Sequence, residues 1–164
     1  MNDIELSIPF ITNQEIARVL FQVGALLEMM EVNPFRVRAY RRAALSILFL
    51  PRPLVEYFGN DEEPPLTGVG ASLRARLLEL VNTGRLGTYD ALLEEVGEPM
   101  VSLLSVEGIG PKTAVRLVSE LGIGSVEDLV EAARTGRIRA LHGFGPKREQ
   151  RLAERAEALL GQAA

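Results

Sequence analysis

Val106-Glu107-Gly108-Ile109-Gly110-Pro111-Lys112 and Leu141-His142-Gly143-Phe144-Gly145-Pro146-Lys147 repeat one pattern about 35 residues apart. In each, an apolar residue and a spacer lead into Gly-apolar-Gly, and Pro-Lys then opens a stretch with helical spacing. A third copy, Leu66-Thr67-Gly68-Val69-Gly70, lies about 40 residues upstream and lacks Pro-Lys. Periods of this length match a two-helix unit with its connector. The chain therefore reads as helix, tight hairpin, helix, repeated in series.

The glycines have a physical reason. Two glycines around one apolar residue permit a hairpin with positive φ at either end. Val69, Ile109 and Phe144 are expected to point into the core and pin each turn. The second glycine, lacking a side chain, leaves the N–H groups at the start of the following helix open to a ligand. Those groups carry the positive end of the helix dipole and suit a phosphate oxygen. Pro111 and Pro146 fit the first helical position, where no N–H is needed. Lys112 and Lys147, the chain's two lysines against sixteen arginines, follow where an ammonium meets a neighbouring phosphate. Thr113 and Arg148 come next. Such contacts touch no base edge, so the predicted binding is sequence-independent and salt-sensitive. Neither Gly-x-Gly-x-x-Gly after a strand nor Gly-x4-Gly-Lys-Ser/Thr occurs, which removes the common nucleotide-binding loops.

Outward from the repeats, helix signals are dense. Thr12 and Glu15 form a capping box ahead of Ile16, Leu20, Val23, Leu26 and Leu27. Asn33-Pro34 begins a helix that runs to about Phe49 and stops at Pro51 and Pro53. A proline-rich acidic connector spans Gly59 to Pro65. Helices are predicted over about Ala71–Asn82, Thr88–Val96, Pro111–Leu121, Ser125–Arg134 and Pro146–Leu160, with no strand. Pro64-Pro65 ahead of the first hairpin points to a degenerate leading helix there. Ile8-Pro9-Phe10-Ile11 reads as a strap over the core or a partner contact, the strap being favoured.

The sequence of 164 residues is 47% hydrophobic and has no cysteine. Disulfides, thiolate nucleophiles and Cys-ligated zinc are excluded. His142, the only histidine, cannot build a histidine metal site alone. Asp3 and Glu5, with no basic residue before the first apolar stretch, do not make a signal peptide. No apolar run approaches the ~20 residues of a membrane span. A cytoplasmic protein with no membrane partner is expected. The net charge of -4 argues against a nucleic-acid partner until its distribution is read. Arg36, Arg38, Arg41, Arg42 and Arg52 stand together without acids. Arg134, Arg137, Arg139, Lys147, Arg148, Arg151 and Arg155 are opposed only by Glu149, Glu154 and Glu157. Glu56, Asp61, Glu62 and Glu63 crowd elsewhere, as do Asp90, Glu94, Glu95 and Glu98. Two basic zones on an acidic body suit a protein that binds DNA on one side.

Residues from about Asn13 to Leu160 resemble the amino-terminal part of bacterial family X DNA polymerases, where a helical lyase-type domain precedes a helix-hairpin-helix fingers region. The resemblance is carried by Leu26-Leu27-Glu28, the block Asn33-Pro34-Phe35-Arg36-Val37-Arg38-Ala39-Tyr40-Arg41-Arg42-Ala43-Ala44, Asn82-Thr83-Gly84-Arg85-Leu86 and the three hairpins. It implies an all-α fold of two small helical domains built around helix-hairpin-helix motifs. Residues 1–98 would form a polymerase-β-like amino-terminal domain with the first hairpin, and 99–164 a tandem helix-hairpin-helix domain. The implied DNA contacts are Gly68, Gly70, Arg74, Arg76, Gly108, Gly110, Lys112, Thr113, Gly143, Gly145, Lys147 and Arg148. A 5′-phosphate pocket would use Arg36, Tyr40, Arg41 and Ser72, although Tyr40 reads equally as a half-buried core residue with its hydroxyl at the surface. The family's hairpins also imply Na+ or K+ held by backbone carbonyls at Gly68 and Gly108 when DNA is bound, with no other cofactor.

Two departures shape the functional expectation. The sequence ends at Ala164, where the resemblance would place the palm and its metal-binding carboxylates, so no polymerase activity is expected. The position of the family's Schiff-base lysine is Arg76, a guanidinium that stays protonated and is no amine nucleophile. Ser72 stands where a phosphate-binding lysine would be. The leading expectation is a non-enzymatic module gripping the phosphate backbone of gapped or 5′-phosphorylated DNA in repair or processing, with a separate polymerase or nuclease as its partner. The alternatives are a 5′-deoxyribose phosphate lyase using Lys112, Lys147 or the amino terminus, and a helical protein-interaction module.

Overall fold

The computed structural model describes residues 10–163, which form helices joined by short turns, with no strand among them. The helices are α1 (Asn13–Met29), α2 (Pro34–Leu48), α3 (Leu54–Gly59), α4 (Ala71–Thr83), α5 (Gly87–Val96), α6 (Glu98–Leu104), α7 (Pro111–Leu121), α8 (Val126–Arg134) and α9 (Pro146–Ala163). The chain divides into two compact units, Met1–Leu92 and Leu93–Ala164, the division falling inside α5.

In the first unit, α1 and α2 form a hairpin closed by a short turn. Ile16, Leu20, Val23, Leu26 and Leu27 of α1 are buried with Val37, Tyr40, Ala43, Ala44 and Ile47 of α2. Each fully buried Leu or Ile contributes about 1.5–3 kcal/mol, which makes this helix pair the mechanical base of the unit. The capping box at Thr12 and Glu15 is formed. Asn13 then ties α1 to the connector after α2, donating to Arg52 O at 3.1 Å and accepting from Leu54 N at 2.8 Å. Tyr89 at the start of α5 donates to Gln22 of α1 at 2.9 Å. α4 adds Leu73, Leu77, Leu80 and Val81 to the core. Of the apolar leader, Ile8 and Pro9 lie outside the described residues; Phe10 lines an apolar groove with Val55, Phe58, Leu78 and Val81 and stays largely exposed.

The second unit packs α6 on α7 and α8 on α9. Its core takes Leu103, Val106, Ile109, Ala114, Leu117, Ile123, Leu129, Ile138, Phe144, Leu152 and Ala156. Ser125 caps α8 by accepting from Asp128 N, and Asp128 returns the contact by accepting from Gly124 N. A carboxylate, Glu149, is buried at 2% exposure. It accepts from Arg139 N at 2.7 Å and Arg139 Nε at 2.6 Å, which meets the requirement that a buried charge be paired and hydrogen-bonded. Glu149, one of the acids opposing the second basic zone, is thus paired within the protein with Arg139.

Two helices escaped the sequence reading. α3 has only six residues, Leu54–Gly59, and α6 only seven, Glu98–Leu104. Pro99 lies in the first turn of α6, where its missing N–H costs nothing. The hairpins consequently differ in what precedes them. α6 runs directly into the second. α3 ends well before the first, and a run of turns over residues 135–140 leads into the third.

Candidate nucleic-acid interface

Each hairpin makes the same local turn. Gly68, Gly108 and Gly143 have φ of +71°, +90° and +83°, a region closed to most side chains. Positive φ is confined to this first glycine. The second is extended, with φ -79° at Gly70 and -94° at Gly110, because it serves as the N-cap of α4 or α7. The expectation of positive φ at both ends is corrected on that point. A Cβ at Gly70, Gly110 or Gly145 would meet no protein atom within 4 Å. Neither strain nor crowding inside the protein demands glycine there, so its effect is to keep the approach to the helix start clear. The caps of α4 and α7 receive no side-chain hydrogen bond, so no side chain stands in for an external acceptor at the first-turn N–H groups.

The central apolar residues are buried in two hairpins and not in the other. Ile109 and Phe144 are 3% and 5% exposed, and their N–H groups close the turns onto Val106 O and Leu141 O. Val69 is only half-buried, a correction to the expectation that all three are pinned in a core. The physical reason lies upstream: α3 ends too early to lay a helix under the first turn.

The first hairpin compensates with a cleft. Arg36, Ala39 and Tyr40 of α2, Gly68 and Gly70 of the turn, and Ser72, Leu73 and Arg76 of α4 line about 460 Å3. Arg36, Tyr40, Ser72 and Arg76, far apart in sequence, are thus brought to one place. Tyr40 is 2% exposed, and its hydroxyl is buried without a hydrogen-bond partner. The half-buried tyrosine with a surface hydroxyl is therefore not what forms. An unmet buried hydroxyl costs about 1–3 kcal/mol. The Arg76 guanidinium lies 6.0 Å from the Tyr40 ring centre. Arg41 is not part of this cleft: it pairs with Glu28 at 2.7 Å and lines a separate depression with Glu31 and Arg38. Arg74 is likewise drawn aside, bound to Glu63 at 2.9 Å and stacked near Phe58.

In the second unit the starts of α7 and α9 are joined. Arg148 donates to Thr113 Oγ1 at 3.1 Å, and its guanidinium lies 4.1 Å from the Phe144 ring centre. Lys112 and Lys147 occupy equivalent positions on the two first turns, both exposed. Metal-binding clusters of His, Asp or Glu are absent among the described residues. At the second turn Glu107 O accepts from the Arg155 guanidinium at 3.1 Å. At the first, a Cβ on Gly68 would lie 3.1 Å from the Arg42 side chain.

Residues 11–86 match the helix-hairpin-helix domain family, and residues 100–158 match the SAM-like helix-hairpin-helix tandem family. The chain is built from two helix-hairpin-helix regions. It is 33% identical over 139 residues to the DNA polymerase/3′-5′ exonuclease PolX of Bacillus subtilis (strain 168), a match covering 85% of this chain and 24% of that protein. The chain thus spans about a quarter of the length of that relative, and it resembles the amino-terminal helix-hairpin-helix region of family X polymerases. No helix among the described residues is long and apolar enough to cross a membrane.

Proposed function

We propose that this helix-hairpin-helix protein binds DNA through its phosphate backbone without reading bases, and that it favours 5′-phosphorylated ends at gaps. The observation that carries the preference is the cleft at the first hairpin. Arg36, Arg76, Ser72 and Tyr40, whose buried hydroxyl has no hydrogen-bond partner, line it beside an uncapped helix start. Such a set offers a terminal phosphate both charge and directed hydrogen bonds. The hairpins of the second unit supply sequence-neutral grip through the N–H groups of α7 and α9, with Lys112, Lys147 and Thr113 around them. The PolX relative is a DNA polymerase and exonuclease, and DNA processing is the setting we infer for this chain. Arg76 argues for holding an end rather than cleaving it, since a guanidinium forms no Schiff base.

Fluorescence anisotropy with a gapped duplex bearing a 5′-phosphate, titrated over several salt concentrations, tests this. Intact duplex and 5′-hydroxyl gap serve as controls. Log affinity should fall linearly with log salt, and Lys112→Glu with Lys147→Glu should lower both affinity and slope. The phosphorylated gap should bind about tenfold more tightly than its 5′-hydroxyl twin, roughly 1.4 kcal/mol. Equal affinity for the two would remove the end-binding reading, and no binding at low salt would turn the assignment to a protein-interaction module. Borohydride trapping on an abasic substrate should leave no adduct; a covalent product would establish the lyase instead.

A further inference from the structure

The residue before the positive-φ glycine is Glu107 in the second hairpin and His142 in the third, at the same place in the repeat. Both carbonyls accept from an arginine on a distant helix. Arg155 of α9, which follows the third hairpin, donates to Glu107 O at 3.1 Å and approaches the Glu107 carboxylate at 3.4 Å. Arg116 of α7, which follows the second hairpin, donates to His142 O at 2.8 Å. Each hairpin turn is therefore held by the helix belonging to the other. The fit is close: a Cβ on Gly108 would collide with the Arg155 guanidinium. Glu120 fixes the Arg116 fork by accepting from its Nε at 2.7 Å, and the guanidinium lies 5.3 Å from the Phe144 ring centre.

We propose that Arg116 and Arg155 are reciprocal braces, positioning residues that lock the two hairpins of the tandem unit into one body so that both helix starts present their N–H groups together. The functional consequence rests on the DNA-binding reading above; the brace itself does not. A turn held at its carbonyl loses less freedom when a ligand arrives, so a braced pair binds more tightly than two loose hairpins without touching the ligand itself.

Two measurements on the full chain decide the matter. Hydrogen exchange without DNA, on Arg116→Met and Arg155→Met, reads the brace directly. Arg116→Met should speed exchange about tenfold over residues 142–145, and Arg155→Met over residues 107–110, each in the hairpin remote from its own helix start. Exchange unchanged in the remote turn overturns the brace, as does a general increase across the unit with loss of helical signal. Anisotropy against the phosphorylated gapped duplex then separates positioning from contact. Both arginine variants should weaken binding about tenfold with the salt slope kept, whereas Lys147→Ala should reduce the slope by roughly one. A slope reduced by one in the arginine variants makes them phosphate contacts and overturns the positioning role. If the wild type binds no DNA at any salt, the function proposed above fails while the exchange result still judges the brace.

Discussion

Tyr40 sits in the core of the α1–α2 pair with its ring satisfied and its hydroxyl stranded. A fold selected for stability alone would prefer phenylalanine there, because the ring packs equally well and the unmet hydroxyl disappears. Tyr40→Phe should therefore leave stability unchanged or raise it by up to about 1 kcal/mol, read as a higher Tm without DNA. The same variant should lose most of the preference for a 5′-phosphate over a 5′-hydroxyl. A lower Tm would mean that the hydroxyl already has a partner and is not held for a ligand. Glu149 shows the opposite balance. Its carboxylate satisfies a backbone N–H and the Arg139 guanidinium at once, so Glu149→Ala should cost about 2 kcal/mol or more by leaving that N–H unmet, seen as a lower urea midpoint. The pairing of Glu149 with Arg139 was invisible in the sequence, because periodicity places a residue on a face but says nothing of a partner ten positions upstream.

At the scale of the hairpin and its helix, the two glycines answer to different demands, and substitution separates them. Gly108 needs positive φ and has Arg155 against it, so Gly108→Ala should destabilise by about 1 kcal/mol or more. Gly110 has ordinary extended backbone and open space around it. Gly110→Ala should change stability by no more than about 0.5 kcal/mol and yet weaken DNA binding, because a methyl group stands before the first N–H groups of α7. Thermal melts and anisotropy on both variants check this; equal loss of stability in the two would contradict the division of labour. Gly-apolar-Gly with Pro-Lys at a fixed period made the hairpins legible, along with every helix of nine residues or more. The leading helices α3 and α6 were not, being too short for a periodic signal and bounded by prolines that read as breaks. The cleft was half legible. Arg36, Tyr40, Ser72 and Arg76 were picked out through the resemblance, whereas the withdrawal of Arg41 to Glu28 and Arg74 to Glu63 depends on side-chain geometry that spacing does not encode.

For the molecule as a whole, charge sets stability and DNA affinity against each other in acid. With 22 acidic and 18 basic residues the net charge is -4 at neutral pH, and long-range repulsion works against a polyanion. Protonating carboxylates removes that repulsion, so affinity for the gapped duplex should rise as pH falls from 7 towards 5 at constant ionic strength. Stability should move the other way lower down. The Thr12 N–H and hydroxyl hold Glu15 below its ordinary pKa, as Arg52 does Glu62 and Arg116 does Glu120. A carboxylate whose folded pKa is depressed contributes stability that is fully present above its unfolded value, about 4.3, and is lost as pH falls through the folded value. Tm should thus hold level from pH 7 to about 5 and decline below it, each pair being exposed and its share small. Glu120→Gln should flatten part of that decline, and it should also loosen the Arg116 fork on the third hairpin, so its gain in acid resistance should come with faster exchange at residues 142–145. A decline unaffected by Glu120→Gln would assign the acid sensitivity to other carboxylates, and affinity that falls between pH 7 and 5 would show that local contacts, not the overall charge, govern the approach of DNA.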